Sequence, residues 1–187
     1  GLDVEHQPHR PPTGLCELFK GRMEYVALDV ETHALVTHER VTMGDGSQLT
    51  AFFDNCCENL SALRCVQVAL AKGHVRSEEP TVKAWLIQPE GFQIDEQATG
   101  KHGITHEQAR SQGLPLKQVL QEMFALVKEA YKAGACVTAY NLKFDAAVLY
   151  NELMHAGLKE EAATWTSMMA DGLCTMDQNV GSWVREL

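Results

Sequence analysis

The sequence predicts an α/β fold, a mixed sheet flanked by helices. Three observations carry that expectation: three short β-branched and aliphatic segments in the first half, a long amphipathic segment at helical spacing behind them, and an apolar strand that runs into a second helical segment. The chain has 187 residues, 45% of them hydrophobic, which suits one domain with one sizeable core.

Residues 1–20 are rich in turn formers, with His6, Pro8, His9, Pro11, Pro12 and Gly14, and read as a linker or an appended edge. The domain is expected over 21–187. Residues 24–30 (EYVALDV) form the clearest strand. Between 34 and 63 the pattern breaks at Gly44, Asp45, Gly46 and Asn55-Cys56-Cys57, so a long excursion with room for one short helix is expected. Residues 64–71 and 81–87 are the next two strands, and the polar connection between them suits a hairpin. Pro115 opens a helix whose apolar residues Leu116, Val119, Leu120, Met123, Leu126, Val127 and Ala130 recur at helical spacing, and Gly134 ends it. Residues 135–140 make a buried strand, and a helix over 144–156 stops at Gly157.

Composition narrows the function classes. No run approaches the roughly 18 apolar residues of a membrane span, and no charged leader precedes an apolar block, so an intracellular protein of the cytoplasm or nucleus, without a membrane partner, is expected. The six cysteines (Cys16, Cys56, Cys57, Cys65, Cys136, Cys174) contain no C-x-x-C spacing and read as free thiols of a reducing compartment rather than zinc ligands. A net charge of −9 argues against gripping nucleic acid mainly through a basic face. It leaves room for a nuclease in which bound divalent cations supply the positive charge facing the phosphate.

The chemistry-bearing residues are acidic. Asp29 and Glu31 stand two positions apart at the end of the first strand, so both carboxylates leave the same face of the sheet. A lone D-x-E is more often an ordinary solvated strand end. Asp145 falls in the first turn of the helix after the 135–140 strand, where the helix dipole favours an acid for stability alone, and Asn141 has a parallel account as an N-cap.

Taken together these segments resemble a known family. Leu28-Asp29-Val30-Glu31-Thr32 looks like the first motif of the DEDD (DnaQ-like) 3′–5′ exonuclease superfamily, and Asn141-Leu142-Lys143-Phe144-Asp145 looks like the second. His102-Gly103-Ile104-Thr105 resembles the H-G-I-T segment that precedes the long helix in such proteins, and Cys174-Thr175-Met176 the strand after the second motif. The resemblance implies a ribonuclease H-like fold and an exonuclease-like domain acting on single-stranded 3′ ends of DNA or RNA. It also implies two divalent cations, Mg²⁺ or Mn²⁺, held by carboxylates. By the same resemblance Asp29 would bridge both cations, Glu31 would serve the nucleophile side and Asp145 the leaving-group side. Thr32, His33 and Asn141 are the expected substrate contacts. Thr32-His33 stands where the family often has Thr-Gly, and Tyr140 where the second motif usually begins with His.

The third motif, H-x-x-x-x-D or Y-x-x-x-D, does not occur after Asp145: His155 leads to Glu160, and Asp171 and Asp177 have no histidine or tyrosine at the required distance. The general base is therefore unassigned, and the C-terminal part of the fold is expected to lie beyond Leu187. A site completed by further residues or domains of a longer chain is one reading. An inactive ribonuclease H-like scaffold is another. A third is a binding module using Trp85, Trp165 and Trp183 to stack bases. Subclass, sugar preference and oligomeric state are open at the level of sequence.

Overall fold

The computed structural model describes residues 21–35, 40–42, 48–50, 60, 62–76 and 79–176. The 1–20 linker, most of the 34–63 excursion, Cys16, Cys56, Cys57, Asp177 and Trp183 lie outside the described residues.

Five strands form the main sheet. They are β1 (Glu24–Thr32), β4 (Cys65–His74), β5 (Thr81–Leu86), β6 (Cys136–Ala139) and β7 (Leu173–Cys174), in the order β5-β4-β1-β6-β7. β1, β4 and β5 pair antiparallel, whereas β6 joins β1, and β7 joins β6, in parallel. The sheet is thus mixed, as the sequence predicts, and the 64–71 and 81–87 segments do form a hairpin. Inside the excursion, β2 (Arg40–Thr42) and β3 (Gln48–Thr50) pair as a separate two-stranded sheet that no hydrophobic alternation announced.

Among the described residues, five helices follow β5 or punctuate the later strands: α1 (Glu96–His102), α2 (His106–Gln112), α3 (Leu116–Lys132), α4 (Leu142–His155) and α5 (Lys159–Ala170). α3 starts after Pro115 and buries Leu116, Val119, Leu120, Met123, Phe124, Val127 and Ala130, the stripe its spacing predicts. Alternation along β1 turns Val26, Leu28 and Val30 inward, where they pack with residues of α3, α4 and α5 in one core. Ala27, Asp29 and Glu31 therefore occupy the opposite face of the strand. A second, smaller core of Val66, Ile94, Ala98, Ile104 and Ala109 seats α1 and α2.

Three helices were not anticipated. α1 and α2 each bury a single residue, Ala98 and Ala109, so they have no stripe to read. α5 has Leu158 at its N-cap, with no side-chain capping bond, and buries Ala162, Trp165, Met168 and Met169. Trp165 and Trp85 are both core residues, 1% and 4% exposed, and Trp165 donates its indole N–H to the Ala146 carbonyl at 3.0 Å. Neither is placed to stack a base. Cys65, Cys136 and Cys174 are buried and not joined in disulfides.

Candidate acidic active site

β1 outruns its parallel neighbour. Pairing with β6 ends at Ala27↔Thr138, so Val30 has no strand partner on that side. Its N–H is taken by Asp145 Oδ1 at 3.0 Å, reaching across from the first turn of α4. An unpaired buried N–H is costly, and Asp145 removes that cost while being carried to the end of the strand that bears Asp29 and Glu31.

The three carboxyls feel one another. Burial raises the pKa of Asp145 to about 7, and the Asp29 charge adds to the effect, partly offset by the Val30 N–H, with Glu31 a smaller contribution. Burial likewise raises Glu31, followed by the charge of Asp29, while His102 pulls it down. Asp29 reaches solvent, yet desolvation raises it too. Asp145 thus lies near enough to Asp29 and Glu31 to feel both charges. A cation among such acids would offset the repulsion between their ionised forms.

The fit to a divalent cation rests on donor chemistry. Hard oxygen donors suit Mg²⁺ or Mn²⁺, and Mg²⁺ is commonly held by one or two carboxylates plus substrate oxygens. Among the described residues no group of three or more His, Cys, Asp or Glu side chains is arranged to hold a metal ion.

The remaining candidates hold the frame. Thr32, 9% exposed, donates its hydroxyl to the Ala34 carbonyl at 2.9 Å. His33 Nδ1 accepts the Arg64 N–H at 3.0 Å, and the ring meets Phe92 edge-on at 5.2 Å. Burial lowers the pKa of His33, so it sits as a neutral acceptor joining the end of β1 to the start of β4. Asn141 is the N-cap of α4 by position, its carbonyl accepting from Phe144 and Asp145, with no capping bond from its side chain. Tyr140 beside it is 73% exposed.

The H-G-I-T segment gains a physical account. His102 Nδ1 accepts the Ile104 N–H at 3.0 Å, so the ring proton of the neutral form is on Nε2, which faces the Thr32 carbonyl at 3.2 Å. Gly103 ends α1 at φ 77°, and Thr105 caps α2 by accepting the Gln108 N–H at 3.1 Å. His102 is thus a strut beneath Thr32 and Glu31.

Glu152 was missed. It is wholly buried on α4 and accepts from Arg64 Nε at 3.0 Å and from the Cys65 N–H at 2.7 Å. Glu152 follows Asp145 by seven residues, two helical turns, so both face the same way. Toward the C-terminus, Asp171 accepts the Tyr131 hydroxyl at 2.8 Å, and His155 Nδ1 lies 3.6 Å from Glu152. Both are engaged away from the acidic group.

Strand order and the helices packed on the mixed sheet define a ribonuclease H-like α/β fold, with Asp29 and Glu31 on the central strand and Asp145 in the first turn of the helix after β6. Among solved structures the chain is similar to exonuclease I. The product-bound form gives a TM-score of 0.51 at 18% identity over 72% of this chain and 26% of that one. A complex with inhibitor BCBP gives 0.55 at 18% identity over 81% and 28%. The enzyme from Methylocaldum szegediense gives 0.51 at 18% identity over 72% and 24%. At such identity the likeness establishes the fold, and this chain spans about a quarter of the exonuclease I chains it matches. No family model matches it, and no curated protein is significantly similar in sequence. Among the described residues no helix is long and apolar enough to cross a membrane.

Proposed function

We propose that this domain is a metal-dependent 3′–5′ exonuclease of the DnaQ-like type that hydrolyses phosphodiester bonds at single-stranded 3′ ends. The observation that carries the reading is Asp145: a buried acid, anchored on Val30 N–H, raised to about 7 by burial and by the charges of Asp29 and Glu31. Structural framing alone does not call for three carboxyls at one strand end, since Asn at position 145 would accept the same N–H. A bound pair of Mg²⁺ or Mn²⁺ ions would supply an activated water and stabilise the leaving 3′ oxygen. Asp29, Glu31 and Asp145 would hold them. With Oδ1 engaged by Val30, Asp145 offers its second oxygen as ligand, and losing its proton is coupled to that role. Thr32, His33 and Asn141 flank the acids, where the terminal nucleotide would lie. The likeness in fold to exonuclease I, one structure of which holds a 5cy-dT13 oligonucleotide, supports a single strand as substrate.

The test is hydrolysis of a 5′-labelled single strand in Mg²⁺ or Mn²⁺. A ladder shortening from the 3′ end, lost in Asp29→Ala and Asp145→Asn, is the expected result. A chain that binds the strand but leaves it intact in either metal would overturn the reading in favour of an inactive ribonuclease H-like scaffold.

A further inference from the structure

The ladder between β1 and β4 carries one irregularity, and it lies beside the acidic residues. Glu31 pairs with Gln67 but Thr32 pairs with Cys65, so Val66 is an extra residue on β4, a bulge opposite the second acid. Its effect is visible in the two cores. Val68 and Leu70 pack in the main core with Val30, and strict alternation would send Val66 there as well. Instead Cys65 joins that core, and Val66 turns to the smaller one with Ala98 and Ile104. A bulge of this kind bends the strand and re-aims neighbouring side chains, and a slip of one residue would exchange the faces.

The backbone around the bulge is held from outside the ladder. Glu152, wholly buried, accepts the Cys65 N–H at 2.7 Å and Arg64 Nε at 3.0 Å through the same oxygen, Oε1. Arg64 N–H donates to His33 Nδ1 at 3.0 Å, and the Arg64 carbonyl accepts the His33 N–H at 2.9 Å, so the residue held by Glu152 is tied to the end of β1. Ile87 N–H donates to the Val66 carbonyl at 2.8 Å, which fixes the bulged residue itself. Cys65 lies within reach of both groups of acids: burial pushes its thiol well up, and the charges of Glu152, Asp145 and Glu31 add to the effect. Stability alone is a weak reason for a buried ion pair, since well-packed apolar residues often serve as well, and a role in fixing geometry is the stronger account.

We propose that Glu152 is a positioning residue for the acidic site: by holding the Cys65 N–H past the bulge, it fixes where the Glu31 carboxylate stands relative to Asp29. The inference rests on the reading that Glu31 helps to hold a cation. Glu152 would not itself be a ligand, being engaged by Cys65 and Arg64. Its effect comes from the reach of its oxygen rather than from its charge, which separates this role from long-range electrostatics.

The experiment measures the Mn²⁺ affinity of the whole chain from the electron paramagnetic resonance signal of the free ion, with folding checked by urea midpoints. Glu152→Gln keeps the length and an oxygen for Cys65, Glu152→Asp keeps the charge but falls a methylene short, and Glu152→Ala removes both. Glu152→Gln should bind within about twofold of wild type despite its lower stability, whereas Glu152→Asp and Glu152→Ala should bind about tenfold more weakly, the loss typical of a residue that supports a metal ligand. Where Glu152→Ala does not fold, Glu152→Asp carries the comparison. A loss in Glu152→Gln as large as that in Glu152→Asp, wild-type affinity in Glu152→Asp, or no Mn²⁺ binding by wild type overturns the proposal. The readout needs no hydrolysis, so a chain that cleaves while every variant binds alike loses only this inference. One that binds in the expected order but leaves a strand intact loses only the nuclease reading.

Discussion

Glu152, with no exposure of its own, accepts the backbone N–H of Cys65 at 2.7 Å. Two turns earlier on α4, Asp145 does the same for Val30. One helix thus uses two carboxyls to hold two adjacent strands, β1 and β4, and only one of those carboxyls stands with Asp29 and Glu31. Glu152→Ala strands Arg64 and the Cys65 N–H together and is expected to cost about 2–4 kcal/mol. Glu152→Gln still offers an oxygen to Cys65 and should cost about 1–2 kcal/mol. Urea midpoints read both, and an Ala variant within about 0.5 kcal/mol of wild type would contradict this role.

Asp145 makes stability depend on pH in an unusual direction. Its folded pKa, about 7, lies above the ordinary 3.8, so between those values the folded chain binds the proton more tightly than the unfolded chain. The stabilisation from this group is full below the ordinary value and is lost as pH rises toward 7. At 1.36 kcal/mol per unit the contribution is on the order of a few kcal/mol. Melting in chelator from pH 5 to 8 should show wild type losing stability relative to Asp145→Asn. A wild type that gains on that variant over the same range would refute the assignment.

Divalent cations should reverse that loss. Mg²⁺ or Mn²⁺ at a hundredfold its Kd stabilises the folded state by about 2.7 kcal/mol. The gain should be larger at pH 8 than at pH 6, because the cation competes with the proton on Asp145. Thermal shift against metal concentration measures it, and an undiminished shift in Asp29→Ala would place the cation elsewhere.

Two glycines near the H-G-I-T segment should respond differently to alanine. A Cβ on Gly113 would meet the backbones of Ala109, Ile87 and Gln88, which cannot give way without lifting α2 from β5. A cost of about 1–3 kcal/mol is expected, with faster hydrogen exchange at Gln88 and Leu114. At Gly103 there is open space, and only the left-handed backbone (φ 77°) is penalised, by about 1 kcal/mol. Equal costs without a change in exchange would argue against the close contact at Gly113.

Elements with a clear period were legible in the sequence: the alternation of β1, the stripe of α3 and the strand-to-helix passage at Asn141. The placement of Asp29 and Glu31 on one face of β1 and of Asp145 in the first turn of α4 was legible too, because spacing along a strand and position in a first turn determine where a carboxyl is carried. Glu152 was hidden among Val148, Leu149 and Leu153, where one acid in an apolar stretch has no partner visible in sequence; its partners Arg64 and Cys65 lie 88 and 87 residues away. His33 was read as a substrate contact, and sequence could not show that its ring nitrogen already holds the Arg64 N–H. α1 and α2 were illegible because each buries one alanine and is held by caps and by the backbone contacts around Gly113.

The overrun of β1 past β6 leaves a notch in the edge of the sheet, filled by an acid where a neutral acceptor would suffice. On the proposed nuclease reading, architecture and reactivity would separate at a single oxygen-to-nitrogen exchange. Asp145→Asn keeps the plug and removes the charge, which would make it the starting point for a folded, cleavage-silent form able to hold an intact strand long enough to be captured with it.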